Sequence, residues 1–233
     1  MNNKLSERLY AITKFVARNS IVADIGTDHG QIPMYLIENN ISKRVIASDI
    51  SQGSLNKTIN YIKELKVSDK IIARLGDGLE IIKPFEVDTV IIAGMGGLLI
   101  RDILSKDIEL TNSITNFILQ PMVATKELRE YLYNNNFKII DEELVLEDNK
   151  YYEIIYAKRG KDIVEKEIYY EIGKKIIEKN HPLLKSFIEY KINKQSSIIK
   201  ELTGINTDKG KIRLEEIEGL ISQYKEVLKI VEG

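Results

Sequence analysis

Short apolar runs alternate with amphipathic segments along the first 160 residues. Five runs predict buried strands: IVADIG, RVIASDI, KIIARL, VDTVIIAG and NFILQPM. Before and between them apolar residues recur at helical spacing, in LSERLYAITKFV, QIPMYLIENN, SLNKTINYIKEL, LLIRDILSK and TKELREYLYNNN. Strands that alternate with helices are joined by right-handed crossovers into a parallel sheet. The pattern therefore predicts an α/β fold.

The alternation ends before residue 160. The stretch FKIIDEELVLEDNKYYEIIYAKRG predicts two strands joined by a turn at residues 147–150, which makes an antiparallel hairpin at the sheet edge. From Lys161 onward there is no strand pattern, and apolar residues recur at helical spacing. We therefore expect one domain over residues 1–160 and an all-α domain over residues 161–233. The second should hold three helices, two of them long enough for a coiled-coil-like hairpin, with breaks at HPLL and TGINTDKGK.

Composition narrows the class of protein. Of 233 residues, 43% are hydrophobic and 30% charged, which is typical of a globular α/β domain with an appendage. The net charge of -1 gives no global basic field, so a nucleic acid would have to bind at a local patch. The absence of cysteine excludes disulfides, thiolate metal ligands and a Cys nucleophile. With no membrane-length apolar run and no signal-peptide pattern, we expect a cytoplasmic protein.

The turn after the first strand, DIGTDHG, is the first candidate binding site. It has two glycines of a dinucleotide-binding turn, but Asp28 replaces the middle glycine. A carboxylate there repels a pyrophosphate and suits a ligand with a positive end. S-adenosylmethionine carries an ammonium and a sulfonium group, so this turn favours it over NAD. The expected cofactor residues of the turn are Asp24, Gly26, Thr27, Asp28, His29 and Gly30.

Three further features follow the next strands, at the edge where open α/β sheets bind ligands. Asp49 can accept hydrogen bonds from ribose hydroxyls. Asp77 lies between two flexible residues and can accept from an adenine amino group. The glycine-rich end of the fourth strand lets a ligand approach the backbone closely. These strands add the expected cofactor residues Asp49, Ile50, Gly76, Asp77, Gly78, Ala93, Gly94, Met95 and Gly96.

Each feature also has a purely structural interpretation. The glycines of the first turn can serve geometry alone, and residues 76–78 can form an ordinary turn. Asp49 can cap the following helix, although Ser51 is an alternative cap. Because all four features follow successive strands, their combination favours a cofactor site over coincidence.

Taken in order, DIGTDHG, SDIS, GDGL and IAGMGG resemble the bacterial tRNA (adenine-22) N1-methyltransferase family. The resemblance extends to LSERL, to LQP with the following ELR helix, and to YYEIIYAKRG, so it covers nearly the whole chain. It implies a class I S-adenosylmethionine-dependent methyltransferase fold, Rossmann-like with seven strands, and a coiled-coil-like C-terminal domain. It also implies methylation of N1 of one adenine, position 22, in the D-loop region of tRNA.

One departure from the family pattern follows the fifth strand. The family pattern is Gln-Pro-Asn, whereas this chain has Gln120, Pro121 and Met122. If the asparagine amide orients the target base, that contact is lost here. If it only caps the next helix, Thr125 can replace it.

The implied chemistry asks little of the protein. N1 of neutral adenine has a free lone pair, so attack on a sulfonium methyl group needs neither a base nor a covalent intermediate. Catalysis is then mainly positioning and desolvation, with an acid or carbonyl near the ring that becomes cationic. The candidate catalytic residues are Asp28, His29 and Gln120, and His29 is equally well interpreted as a structural residue at a helix start. N1 lies on the Watson–Crick edge, so a paired adenine has to be exposed or flipped.

Contacts to tRNA must come from local cations. Arg101, Lys126 and Arg129 follow the fourth and fifth strands and are candidates for phosphate contacts. Arg8 is a candidate for the cofactor carboxylate. The charge of the C-terminal helices is nearly balanced, which leaves an RNA arm and a homodimer contact as alternatives. We expect no metal and no membrane partner.

Two other functions would use the same cofactor residues. One is a methyltransferase that acts on another substrate class. The other is a non-catalytic S-adenosylmethionine-binding module whose helical arm recruits partners. Activity on unfractionated tRNA distinguishes the first, and binding without turnover would support the second.

Overall fold

A computed structural model describes residues 5–202 and 207–232. The chain divides into two compact units, Met1–Val164 and Glu165–Gly233. The sequence pattern predicts the boundary after residue 160, where the last strand ends. The first unit also includes the few extended residues that follow this strand.

The first unit is built around a mixed seven-stranded sheet. Its strands are β1 (Ser20–Ile25), β2 (Ser42–Asp49), β3 (Ile71–Leu75), β4 (Thr89–Met95), β5 (Asn116–Pro121), β6 (Phe137–Glu147) and β7 (Lys150–Arg159). The order is β3-β2-β1-β4-β5-β7-β6, with β1 to β5 parallel and β7 antiparallel to both neighbours. The predicted Rossmann-like fold and edge hairpin are confirmed. The strand order reverses between β1 and β4, which opens a ligand crevice at their carboxyl ends.

Helices connect the strands of this sheet. They are α1 (Glu7–Lys14), α2 (Gln31–Glu38), α3 (Gln52–Glu64), α4 (Gly97–Lys106), α5 (Ile108–Asn112) and α6 (Thr125–Asn134), with a 3-10 turn at Gly78–Ile81. The side chain of Ser51 caps α3 by accepting from the Ser54 N–H. Ser51, and not Asp49, is therefore the residue that caps this helix. The sequence pattern did not predict α5, because five residues are too few to show a helical period.

The core lies on both faces of the central strands. Val22, Ile91, Ile92 and Leu119 are fully buried, as expected for parallel strands covered by helices on both sides. Burial of each such side chain contributes about 1.5–3 kcal/mol to stability.

The turn between β6 and β7 is explained by its local sequence. Residues 148 and 149 both have positive φ, which is the geometry of the tight turns that Asp and Asn favour.

The described part of the second unit consists of helices joined by short turns and contains no strand. It contains α7 (Ile168–Glu171), α8 (Lys174–Glu178), α9 (Leu184–Leu202) and α10 (Asp208–Glu232). The first of the three expected helices is therefore two short ones, because the backbone is extended at Ile172 between them. The two long helices contact each other, and their coiled-coil character stays a prediction. Of the expected break TGINTDKGK, residues 203–206 lie outside the described residues.

Within residues 5–202 and 207–232, no helix combines the length and hydropathy needed to cross a membrane.

Candidate active site

The turn after β1 forms the floor of the candidate site. Asp24, near the end of β1, is only 4% exposed. Gly26 follows with φ of +73°, and the methyl group of Met95 fills the space that a Cβ would need. A larger residue at position 26 would therefore be strained and would clash with β4. Glycine here holds Asp24 and the glycine-rich end of β4 against each other.

The charge of Asp24 is controlled by its surroundings. Burial raises the pKa of its carboxyl group to about 7, and the negative charge of Asp28 acts in the same direction. The Thr27 hydroxyl opposes the shift. Asp24 is thus poised between neutral and ionised forms near neutral pH. A cation bound nearby would favour the ionised form.

Asp28 and His29 lie at the mouth of the site. The side chain of Asp28 is 83% exposed, and its Oδ1 is 3.3 Å from His29 Nε2. Lys57 Nζ lies 3.5 Å from the same nitrogen. His29 has φ of +56°, which fits its position in the turn before α2. The structure brings Asp28 to the ligand cavity and leaves His29 at its outer edge, beside Lys57.

Gln120 joins α1 to the glycine-rich end of β4. Its Oε1 accepts from Arg8 Nη1 at 2.6 Å and from the Gly94 N–H at 3.1 Å. Its Nε2 donates to the Pro121 carbonyl at 2.8 Å. The side chain is fully buried. These hydrogen bonds show that the Gln120 amide links Arg8 to the backbone of β4, and its catalytic role stays a prediction.

The Arg8 guanidinium has one nitrogen, Nε, that could donate a hydrogen bond to a ligand. Its guanidinium lies over the Tyr152 ring, 5.2 Å from the centroid, and its Nε is buried. Within the described part of the chain, that Nε has no hydrogen-bond partner. A buried donor without a partner is costly, so an anionic group at this position would be stabilised.

These groups surround one cavity of about 330 Å³ at the carboxyl ends of β1 and β4. Charges of both signs line it, namely Arg8 from α1 and the acids Asp24 and Asp28 of the β1 turn. This arrangement matches a zwitterionic amino-acid end with an adjacent cation. The lining residues are Arg8, Leu9, Asp24, Gly26, Asp28, Gln31, Ile32, Ala93, Gly94 and Met122.

Other predicted cofactor residues lie beside this cavity. Asp49 ends β2, where its Oδ1 accepts from the Ser51 N–H, and its carbonyl accepts from the Gly76 N–H. Asp77 pairs with Lys106 at 3.1 Å. The strand order puts these acids at the carboxyl ends of β2 and β3, next to the end of β1, and their cofactor contacts stay a prediction. The other predicted cofactor residues that do not line the cavity are Thr27, Gly30, Ile50, Gly76, Gly78, Met95 and Gly96.

The predicted phosphate contacts divide into two groups. Arg101 is partly exposed and pairs with Asp102, and Lys126 is exposed. Arg129 is fully buried, with Nε 2.8 Å from Glu142 and Nη2 2.7 Å from Glu153. The prediction that Arg129 contacts RNA is therefore wrong. The sequence shows a cation on a helix near the site, but only the packing shows that it faces inward.

Several residues of the site were not predicted. Leu9, Gln31 and Ile32 line the cavity from α1 and α2, and Met122 lines it from the β5–α6 turn. From the sequence, Leu9 and Ile32 are expected in the core, since apolar helical spacing does not distinguish a cavity wall from a core.

An adjoining groove of about 600 Å³ runs past Asp28 to α3. Within the described residues, no group of three or more His, Asp or Glu side chains could hold a metal ion.

Comparisons with known proteins agree with this geometry. Residues 5–155 match the family described as a methyltransferase domain. Over 231 residues the chain is 32% identical to the tRNA (adenine(22)-N(1))-methyltransferase of Bacillus subtilis (strain 168), with 97% of each chain covered.

Solved structures show the same similarity. The B. subtilis M1A22 tRNA methyltransferase TrmK has a TM-score of 0.89 at 29% identity, covering 97% of this chain and 100% of that one. M. capricolum TrmK in complex with S-adenosyl-homocysteine has a TM-score of 0.84 at 30% identity, covering 97% and 99%. The predicted family is thus confirmed by sequence and fold. The chain belongs to the tRNA (adenine(22)-N(1))-methyltransferase family.

Proposed function

We propose that this protein transfers a methyl group from S-adenosylmethionine to N1 of adenine 22 of tRNA. The observation that carries the proposal is the cavity at the ends of β1 and β4. It is lined by Arg8, whose buried Nε has no hydrogen-bond partner among the described residues, and by the acids Asp24 and Asp28. The donor set fits S-adenosylmethionine, because Arg8 suits the carboxylate and Asp24 suits the ammonium and sulfonium side. Membership of the family names the substrate and the atom.

The residues around the cavity have separate roles in this proposal. When bound, S-adenosylmethionine supplies an electrophilic methyl group. Arg8, held by Gln120, orients the carboxylate end, and Asp24 faces the positive end. Asp49 accepts from ribose hydroxyls and Asp77 from the adenine amino group of the cofactor. Together these residues would hold the cofactor, which would supply the methyl group.

The target adenine enters from the side of Gly94 and Met122. Its N1 uses its own lone pair, so the protein need not remove a proton before attack. The ring becomes cationic as the bond forms, and Asp28 together with the carbonyls near Gly94 stabilises that charge. Catalysis therefore consists of alignment and electrostatic stabilisation.

The tRNA is held outside the cavity by exposed cations. Arg101 and Lys126 lie on α4 and α6, which begin beside the cavity. Replacement of either by Ala should lower tRNA affinity and the salt dependence of binding by about one released counterion. A binding titration at several salt concentrations measures this.

We also infer that the protein acts in the cytoplasm, where tRNA is processed. RNA binding and homodimer formation remain alternative roles for the helical unit.

The function is tested with unmodified tRNA transcripts that carry adenine or guanine at position 22. Mass spectrometry of the nucleosides should find 1-methyladenosine only with the adenine transcript. Product from both transcripts would place the methylated atom elsewhere in the tRNA. Cofactor binding without any product would favour a non-catalytic module or another substrate.

The cofactor residues are tested separately by calorimetry. Substitution of Asp24, Asp49 or Asp77 by Ala should weaken S-adenosylmethionine binding while the far-ultraviolet circular dichroism spectrum is retained. Normal binding in any of the three variants would remove that residue from the site.

A further inference from the structure

An exposed apolar surface lies beside the cavity, at the turns that follow β4 and β5. Met122 and Val123 are 48% and 66% exposed. Leu98 and Leu99, in the first turn of α4, are 43% and 51% exposed. Apolar side chains scattered singly on a surface need no explanation, but these four lie on two turns that contact each other, and one of them, Met122, lines the cavity.

The tip of this surface is held rigidly by the backbone. The Met122 N–H donates to the Met95 carbonyl at 2.8 Å, and the Gly97 N–H donates to the Val123 carbonyl at 2.8 Å. The Ala124 carbonyl packs where a Cβ of Gly97 would lie, and Ala124 itself has φ of +57°. The two exposed side chains are therefore presented on a fixed turn.

The surface is continuous with the cavity. Met122 lines the cavity together with Asp24 and Gly94, so its side chain has one face toward the reaction site and another toward solvent. Val123 does not line the cavity and extends the apolar surface outward. Gly96, between them and α4, lies close enough that its Cβ would be 3.6 Å from Val123 Cγ2.

We propose that Met122 and Val123 form an apolar wedge that enters the tRNA base stack as the target adenine turns into the cavity. The inference rests on the proposed function and deepens it. Withdrawing a base from a stack costs about a few kcal/mol for each stacking step that is lost. An inserted apolar side chain offsets this cost, because it covers the exposed faces of the neighbouring bases. Met122 lines the cavity and Val123 follows it on the same turn, exposed to solvent.

The wedge predicts a defect in base withdrawal that leaves cofactor binding intact. A tRNA with 2-aminopurine at position 22, bound in the presence of S-adenosylhomocysteine, should become more fluorescent as that base leaves the stack. Val123→Ser should lose more than half of this increase. Turnover of native tRNA should fall about tenfold, within the range of one lost base contact, while calorimetry gives the wild-type cofactor affinity. Phe85→Ser is the matched control, because Phe85 is 84% exposed and precedes β4, away from the glycine turn.

A second substrate separates the wedge from a structural defect. In a tRNA whose position 22 is mismatched and already unstacked, the loss caused by Val123→Ser should shrink to about twofold, because less stacking energy has to be replaced. Equal losses on both substrates, or an unchanged fluorescence increase, would overturn the wedge. So would self-association of the wild type that Val123→Ser abolishes in sedimentation, since a second copy would then cover the surface. If the wild type forms no 1-methyladenosine on either tRNA, the proposed function fails, and the wedge fails with it.

Discussion

The first unit buries carboxylates at two places and treats them in opposite ways. Glu142 and Glu153, on the edge hairpin, both pair with the buried Arg129. Burial alone would lower the pKa of Arg129, but the two carboxylates raise it above its ordinary value. Among the described residues no cation pairs with Asp24, and burial raises its pKa to about 7. The first carboxylates have their cation within the protein, whereas Asp24 would gain one from a ligand with a positive charge.

This contrast explains how one fold can hold both a structural and a functional buried acid. In a buried ion pair the attraction between the charges offsets their desolvation, so the pair offers little to a ligand. An acid without a cation costs stability in the free protein, and that cost becomes affinity when a cationic ligand binds. The electrostatic environment, more than burial itself, separates Asp24 from Glu142.

The largest effect should follow removal of the buried cation. Arg129→Met leaves Glu142 and Glu153 uncompensated, and we expect a loss of about 3–5 kcal/mol in the free energy of unfolding. Urea denaturation measures this. Arg101→Met, which breaks an exposed pair in the same unit, should change stability by about 0.5 kcal/mol or less.

A triple variant tests whether charge is the cause. Replacing Arg129, Glu142 and Glu153 together by Met should recover most of the loss, because no buried charge is left unpaired. If the triple variant is as unstable as Arg129→Met alone, side-chain packing explains the loss, and the comparison with Asp24 fails.

The next effect has opposite signs in the free and bound protein. Asp24→Asn should weaken S-adenosylmethionine binding by about 1.5–3 kcal/mol, the value of a hydrogen bond to a charged group. At pH 8 the free variant should be more stable than wild type, because no charge has to be buried. Calorimetry measures the change in affinity, and urea denaturation measures the change in stability. Asp28→Asn, at an acid that is 83% exposed, should have a smaller effect on both, and equal effects would contradict the role of burial.

A pH dependence should accompany the raised pKa of Asp24. The folded pKa of about 7 lies above the ordinary aspartate value of 3.8, so the associated stability is present below about pH 4 and is lost as the pH rises through 7. Cofactor affinity should move the other way and rise about tenfold between pH 6 and pH 8 as Asp24 ionises. In Asp24→Asn this rise should disappear. An unchanged profile in the variant would assign the titration to another group.

The smallest change in stability should come from an ion pair that resembles those of Arg129 but is more exposed to solvent. Arg74 and Glu86 form a two-point ion pair at 2.6 and 2.8 Å, partly open to water. The Arg74 guanidinium lowers the pKa of Glu86 to about 2, so this stability is present above about pH 4.5 and lost as the pH falls through 2. Arg74→Met should cost about 1 kcal/mol or less in unfolding free energy at pH 7. A loss as large as that of Arg129→Met would show that burial is not what distinguishes the two pairs.

Much of the fold and the cofactor site was predictable because it depends on local sequence. Strand and helix periods, the Asp148–Asn149 turn and the Ser51 cap act over a few residues. The parallel sheet then brings the carboxyl ends of the strands to one edge, so Asp24, Asp49 and Asp77 could be placed at one edge without a structure. The short helix α5 was missed because it has no measurable period.

What the sequence determined by itself was the order of elements, the mixed sheet and the acids at its ligand edge. What only the tertiary structure decided was the direction in which individual side chains face. Arg129 and Lys126 lie on the same helix, yet one is buried against two carboxylates and the other is exposed. Gln120 spans α1 and β4, and Met122 reaches the cavity, through contacts between segments distant in sequence. Such contacts depend on packing across the sheet, which no local period encodes.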